Sequence, residues 1–160
     1  FLKNSPNLNT LRTSNNHNIN TECFRLLINS LHDGTIEDLS FADCSIDDIT
    51  ILEIHSLPHL EILDLRRNNI TIIPSLDKYT NLEVLQLYGN NIGIQGCRSI
   101  ANLLQNNSSR LRVLHLRSNE IGDEEAEILA DSLKRNTTLT RLNLGGNKFE
   151  EKGLRALLKL

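Results

Sequence analysis

The stretch LEILDLRRNNI, residues 60–70, recurs with variations three more times along the chain. The copies are LEVLQLYGNNI at 82–92, LRVLHLRSNEI at 111–121 and LTRLNLGGNKF at 139–149. Each copy has leucine at its first, fourth and sixth positions, asparagine at the ninth and a large apolar residue at the eleventh. Two looser copies come earlier, IEDLSFADCSI at 36–46 and LNTLRTSNNHN at 8–18. A pattern kept in this order over most of the chain indicates a fold built from internal repeats.

The repeats begin near residues 8, 36, 60, 82, 111 and 139, which are 28, 24, 22, 29 and 28 residues apart. Units of this length each form one short supersecondary structure and bury their apolar faces against their neighbours. We therefore expect a single domain over residues 1–160, made of about six stacked repeats. The chain begins without methionine and ends within a repeat, at Leu160, so we expect it to be a section of a longer array.

Each repeat is predicted to begin with a short strand whose side chains alternate between two faces. The leucines at the fourth and sixth positions, such as Leu63 and Leu65, should face the interior, and the residues between them should face the opposite side. At the turn that follows, a buried amide can both donate to and accept from backbone groups that the bend leaves unpaired. We expect a structural ladder at this position, formed by Cys44, Asn68, Asn90, Asn119 and Asn147.

The segments between the strands differ in length, which predicts different structures on the outer side. The longer segments have apolar residues at helical spacing, for example Cys97, Ile100, Ala101 and Leu104. The units at 36–81 have less room and contain Pro58 and Pro74, so their outer segments should be extended or form one tight turn. The predicted fold class is α/β, a solenoid with a concave parallel sheet and with helices or extended segments on its convex side.

The segment NEIGDEEAEILADSLKRNTTLTRLNLGGN, residues 119–147, resembles the ribonuclease-inhibitor-like class of leucine-rich repeats. The segment NNIGIQGCRSIANLLQNN, residues 90–107, is similar but less regular. The resemblance is best over residues 82–160, whereas the units at 36–81 look more like the shorter, proline-containing repeats of another subclass. Glu125 departs from the class pattern, which often has glycine there. The resemblance implies a horseshoe-shaped solenoid used to recognise other proteins. The fold alone does not specify which protein is recognised.

The residues beside and after the inner leucines should form the concave surface. Neighbouring strands lie about 4.8 Å apart, so one contiguous patch is predicted in the central repeats: Asp64, Arg66, Arg67, Gln86, Tyr88, His115 and Arg117. Arginine and tyrosine are enriched at energetically important positions of protein interfaces, and a guanidinium can bind a carboxylate through two hydrogen bonds. This patch is the candidate partner-binding site. The alternative is an ordinary solvated inner face on which Asp64 and the arginines pair with one another.

Charge and cysteine content argue against several other classes of function. The chain has 17 basic and 20 acidic residues, and a net charge of −3 does not favour nucleic acid or an anionic membrane as a partner. The sequence contains no run of about 18 apolar residues, which is the length that a membrane-spanning helix needs. Cys23, Cys44 and Cys97 all fall on apolar positions of the pattern. This predicts three buried free thiols and, with them, a cytoplasmic location.

No catalytic site, metal site or cofactor is expected. No recognisable motif places a nucleophile beside His115, the five histidines have no metal-ligand spacing, and no G-x-x-x-x-G-K loop is present. We therefore expect a module that is not an enzyme and that binds another protein, of unknown identity, on its concave face.

Two alternatives and one further expectation accompany this prediction. The chain could regulate a partner enzyme, as a GTPase activator or an enzyme inhibitor does, or serve as a spacer whose binding residues lie in other repeats. A solenoid needs a polar cap at each end for solubility. The apolar residues Leu154, Leu157 and Leu158 predict instead that the C-terminal edge can self-associate.

Overall fold

The computed structural model describes residues 5, 7–31, 35–49, 52 and 57–159. Within these residues, a parallel sheet of six short strands follows the order of the chain. The strands are β1 (Thr10–Arg12), β2 (Asp38–Ser40), β3 (Ile62–Asp64), β4 (Val84–Gln86), β5 (Val113–His115) and β6 (Arg141–Asn143). Each strand pairs with the strand of the next repeat. The predicted α/β solenoid with a parallel sheet is confirmed.

One leucine from each strand forms a row across the whole sheet. The registered residues are Leu11, Leu39, Leu63, Leu85, Leu114 and Leu142. The four inner leucines are almost completely buried, whereas Leu11 and Leu142 at the two ends are only partly buried. Full burial of one leucine side chain stabilises the folded state by about 1.5–3 kcal/mol. The row therefore contributes most in the middle of the sheet, where both neighbours are present.

Helices pack against this core from the outer side of the repeats. The helices of the described residues are α1 (Thr21–Ser30), α2 (Ile94–Gln105), α3 (Asp123–Leu133) and α4 (Glu151–Leu157).

Two side chains explain where α1 and α3 begin. Asn20 Oδ1 accepts the backbone N–H of Cys23 at 3.0 Å, and Glu125 Oε2 accepts the backbone N–H of Gly122 at 3.0 Å. Each side chain thus satisfies a backbone donor that has no partner within the helix. No helix in the described part has both the length and the apolar character needed to cross a membrane.

The outer segment between β3 and β4 has no helix. From residue 65 to residue 81 the chain forms turns and extended segments, as its length and Pro74 predict. Tyr79 fills the space behind the sheet, and its hydroxyl donates to the carbonyl of Leu52 at 2.8 Å. Burial raises the pKa of Tyr79. The outer segment of the preceding unit lies largely outside the described residues.

The prediction of three buried thiols is wrong for Cys23. All three cysteines are free, but Cys23 is exposed, whereas Cys44 and Cys97 are buried. In α1 the buried side chains are Phe24 and Ile28, which are four residues apart and share one helical face. Cys23 precedes Phe24 by one residue, and one residue corresponds to about 100° around a helix. The helical period therefore turns Cys23 to the solvent despite its apolar position in the repeat.

We expect Cys23 to react quickly with a thiol reagent such as DTNB in the folded protein, while Cys97 reacts only after unfolding. Burial raises the pKa of Cys97 to about 12, so the reactive thiolate is scarce at neutral pH. Burial also keeps the reagent from reaching the Cys97 sulfur. The number of thiols that react in the native protein checks this, with Cys23→Ser as the control. A fast-reacting thiol that persists in Cys23→Ser would contradict the assignment.

Candidate protein-binding surface

Buried amides hold the turn that follows the strands. Asn90 Oδ1 accepts the N–H of Ile70 at 3.0 Å, and Asn90 Nδ2 donates to the carbonyls of Leu65 at 2.9 Å and Leu87 at 3.0 Å. Each amide thus joins its own turn to the preceding repeat. Equivalent hydrogen bonds are made by Asn68, Asn119 and Asn147.

Cys44 lies at the same position and makes weaker contacts. Its Sγ is 3.7 Å from the carbonyl oxygens of Thr13 and Ala42. A thiol is a weak donor and cannot replace an amide that bonds on both sides. The first turns of the solenoid are therefore held less firmly than those around Asn68 and Asn90.

The residue before each ladder position has a left-handed backbone, and so does Asn15 at the equivalent place in the first repeat. The six residues with φ between +52° and +68° are Asn15, Asp43, Arg67, Gly89, Ser118 and Gly146. Glycine adopts this conformation freely, whereas an ordinary side chain in it costs roughly 1–2 kcal/mol. Arg67 is the longest of these side chains, and it lies at the turn that leads out of β3.

The ring of Tyr88 lies between two guanidinium groups from the neighbouring repeats. The guanidinium carbon of Arg67 is 5.6 Å from the ring centroid, and that of Arg117 is 6.0 Å from it. Both distances are within the range of a cation–π interaction. Arg66, Arg67 and Tyr88 also border a shallow cleft of about 220 Å³ that Ser14, Asn15, Ala42 and Asp43 complete. Three successive repeats thus supply one continuous cationic and aromatic cluster.

Asp64 is buried beneath the side chains of this surface. It is 7% exposed, and its two oxygens each lie 2.8 Å from a nitrogen of Arg66. The hydroxyl of Ser40 lies 3.2 Å from the same carboxylate. The hydrogen bonds with Asp64 raise the pKa of Arg66 above its usual value. The alternative prediction of local pairing therefore describes Asp64 and Arg66, whose charges compensate each other.

The other two arginines of the patch, Arg67 and Arg117, are held by weaker ion pairs or by none among the described residues. Arg67 Nη1 lies 3.7 Å from Asp43 Oδ2, with both side chains partly exposed, and such surface pairs contribute little. Arg117 is exposed and makes no ion pair with any residue in the described ranges. Gln86 and His115 pair in register on β4 and β5 and are half-buried. The structure therefore brings the predicted patch onto β3–β5 and the following turns, with Asp64 beneath it.

Sequence reasoning missed an aliphatic row on the same face as the patch. Ile62, Val84 and Val113 pair in register on β3, β4 and β5, and all three are half-buried. Strand alternation places them on the face opposite the buried leucines. The available signal was a branched aliphatic residue directly before the fourth-position leucine in three successive repeats.

A row of glutamates lies one residue before the aliphatic row, and it was missed too. The N–H of Glu61 bonds the carbonyl of Glu37, and the N–H of Glu83 bonds that of Glu61, both at 2.8 Å. Glu37 and Glu61 are exposed and Glu83 is half-buried. The signal was glutamate at the second position of three successive repeats. The patch predicted from sequence thus covers only the part of the surface at the ends of the strands.

The comparisons with known proteins agree with this geometry. A family model described as "Leucine Rich repeats (2 copies)" matches residues 58–96, and one described as "Leucine Rich repeat" matches residues 107–127 and 135–158. The chain is a leucine-rich-repeat solenoid. No curated protein sequence matches it. The assignment of residues 82–160 to the ribonuclease-inhibitor-like class stays a prediction.

Two solved structures resemble the chain to different degrees. An internalin from Listeria monocytogenes has 24% sequence identity and a TM-score of 0.60, covering 85% of this chain and 36% of its own. The ectodomain of the receptor kinase SOBIR1 from Arabidopsis thaliana has 20% identity and a TM-score of 0.47, covering 72% of this chain and 60% of its own. At 24% identity, the likeness to the internalin structure shows the fold alone. The chain spans about a third of the internalin structure.

We expect Asn90→Ala to lower the free energy of unfolding by about 3 kcal/mol, because it leaves the buried N–H of Ile70 without a partner and removes two further hydrogen bonds, to the carbonyls of Leu65 and Leu87. The matched control is Asn91→Ala, since Asn91 is exposed and a surface change of this kind costs less than about 0.5 kcal/mol. Urea unfolding of both variants measures the difference. Equal losses at the two positions would argue against the ladder as a structural element.

Proposed function

We propose that this leucine-rich-repeat chain is a protein-interaction module whose partner docks on the concave surface around Tyr88. The observation that carries the proposal is the position of the Tyr88 ring between Arg67 and Arg117. An aromatic ring flanked by two cations offers apolar area and charge-assisted hydrogen bonds in one place. Tyrosine and arginine are also the residue types that dominate the binding energy of many interfaces.

The way the surface is held supports binding without a large loss of conformational entropy. The strands under Arg66, Tyr88 and Arg117 are paired on both sides, and asparagine amides hold the turns after them. Association has to offset the ordering of loops and side chains as well as the loss of free motion. A backbone that is already ordered leaves only side chains to be immobilised when the partner docks.

The backbone of Arg67 supports the same conclusion. Its φ of +52° is a conformation that glycine would adopt without strain. The equivalent residues in the other repeats are glycine or have short polar side chains, namely Asn15, Asp43, Gly89, Ser118 and Gly146. Strain of this kind at an exposed side chain is a reason to look for a function. We take the presence of a long cation at this position as support for a role of Arg67 in binding.

The variant Arg67→Gly tests the proposal because it removes the side chain while making the backbone conformation easier. We expect Arg67→Gly combined with Arg117→Ala to weaken binding to a partner captured by the wild-type chain by on the order of a hundredfold, since two anchoring cations are lost. The unfolding temperature should change little. Titration of the purified partner by calorimetry and thermal unfolding of the variant measure the two quantities.

The control removes two arginines from the convex side. Arg98 lies on α2 near Glu124, and Arg135 follows α3 in an exposed position, so Arg98→Ala with Arg135→Ala changes the net charge equally. A partner that is lost with the convex pair and kept with the concave pair would overturn the proposal. Equal weakening by both pairs would indicate unspecific attraction to positive charge.

A second candidate function is regulation of a partner enzyme. It is favoured by one observation, namely that Arg117 is exposed and has no ion-pair partner among the described residues. An unpaired guanidinium on a rigid surface could enter an active site and stabilise negative charge there, as an arginine finger does. Arg66 is less suited to this role because Asp64 holds it. The activity of a captured enzyme, measured with and without the chain, distinguishes regulation from docking alone.

Self-association through the C-terminal edge is a separate expectation. Leu154 is 48% exposed and Leu158 is 75% exposed, and the last row leucine, Leu142, is only partly covered. We expect the purified chain to form larger species as its concentration rises, because stacking of two edges would bury this apolar surface. Sedimentation of the wild type and of Leu154→Glu with Leu158→Glu checks this. A wild type that stays monomeric throughout would contradict the expectation.

A further inference from the structure

We infer that the partner presents three kinds of side chain to this surface in a fixed order: a cation, then an aliphatic group, then a carboxylate. The cation faces the glutamate row Glu37, Glu61 and Glu83, and the aliphatic group faces the aliphatic row Ile62, Val84 and Val113. The carboxylate faces the cationic cluster Arg67, Tyr88 and Arg117. This inference rests on the proposed function and names the chemical class of the partner segment.

The glutamate row calls for a cation. Its members come directly before β2, β3 and β4, about 4.8 Å apart, and are joined by backbone hydrogen bonds between Glu37, Glu61 and Glu83. In the part of the chain that the structure describes, none of these carboxylates forms an ion pair. Like charges placed directly opposite each other on neighbouring strands destabilise a sheet. A lysine or arginine from a partner would relieve this repulsion while it binds.

The aliphatic row calls for an apolar group next to that cation. Ile62, Val84 and Val113 stand in register on the solvated face of the sheet, where a polar residue would serve solubility equally well. At either end the row gives way to a charged residue, Asp38 on β2 and Arg141 on β6. It is therefore a narrow apolar strip with charged ends, and its three side chains remain half-exposed in the free chain.

The cationic cluster calls for a carboxylate at the far end. Arg67 and Arg117 flank Tyr88, and the ion pair of Arg67 with Asp43 is long, at 3.7 Å. From Glu83 to Tyr88 the chain advances five residues, which in extended backbone is about 17 Å. The surface is thus negative where β2, β3 and β4 begin and positive at the turns after β3 and β5, with Arg112 next to Glu83 at the edge of the glutamate row. Such a bipolar surface fixes the direction in which a partner segment can lie.

A phage-displayed library of random peptides, roughly twelve residues long so that each can span about 17 Å, serves as the probe. We expect peptides selected on the wild-type chain to contain lysine or arginine beside an aliphatic residue, with aspartate or glutamate further along. On Glu61→Lys with Glu83→Lys, selection should favour an acidic residue at the position of the cation. On Arg117→Glu, it should favour a basic residue at the position of the carboxylate.

Measured affinities make the same test quantitative. A wild-type-selected peptide should bind Glu61→Lys with Glu83→Lys on the order of tenfold more weakly, and replacing its cation by glutamate should restore the affinity. The control variant is Glu124→Lys, an exposed glutamate on α3 at the convex side, which should leave the selected sequences unchanged. Circular dichroism of each variant verifies that the repeats are folded.

The outcomes separate this inference from the function on which it rests. Peptides that lose binding with Tyr88→Ala or Arg117→Ala, yet show no basic preference that responds to Glu61→Lys, would overturn the inference and leave the concave docking site intact. Selected peptides that are insensitive to Tyr88→Ala and Arg117→Ala would overturn both. A library without any binder would count against both as well.

Discussion

The structure depends on one recurring problem, which is how a chain satisfies its backbone when it turns the same way after every parallel strand. Each turn buries N–H and carbonyl groups that no strand can reach, and an unpaired buried group costs as much as a lost hydrogen bond. The asparagine side chain solves this because it accepts on one side and donates on the other. Asn90, for example, accepts from Ile70 in the preceding repeat and donates to Leu65 and Leu87. Stacking and turning are therefore fixed by the same side chain.

This arrangement turns positions of a repeat into rows on a surface. Because the strands stay in register from Leu11 to Leu142, residues at one position of successive repeats lie next to each other. A residue type used three times at that position becomes a stripe of one chemistry about 10 Å long. The glutamates before β2, β3 and β4 and the aliphatic residues that begin β3–β5 arise in this way. The chemical character of the concave face is therefore set by residues that lie about 20–30 positions apart in the sequence.

The sheet, the buried leucines and the ladder positions follow from sequence because each depends on spacing alone. Helix α2 was predictable for the same reason, since the apolar residues Cys97, Ile100 and Leu104 are spaced with the helical period. Cys23 was misjudged because position in the repeat was taken as burial, whereas the orientation of α1 decides it.

The candidate site was less accessible to such reasoning. Whether Asp64 binds Arg66 or stays free depends on side-chain conformations that no spacing specifies. The aliphatic row was missed for another reason: the prediction used only the residues between and after the two strand leucines, although the residue directly before the first leucine lies on the same face. The glutamates come one residue earlier, directly before the strands, and Glu37 and Glu61 are exposed there.

The central repeats contain three features that a solenoid selected only for stability would avoid. Arg67 has a left-handed backbone where glycine would fit better. Glu61 stands between two other glutamates, and Val84 belongs to an aliphatic row on a solvated face. Natural sequences depart from local consistency chiefly at functional sites, and other parts of the fold offset the cost. Here the fully buried leucines and the asparagine ladder lie beneath the same repeats. The part of the solenoid that is held most firmly is thus the part that carries the least favourable surface, which is the arrangement expected where a partner docks.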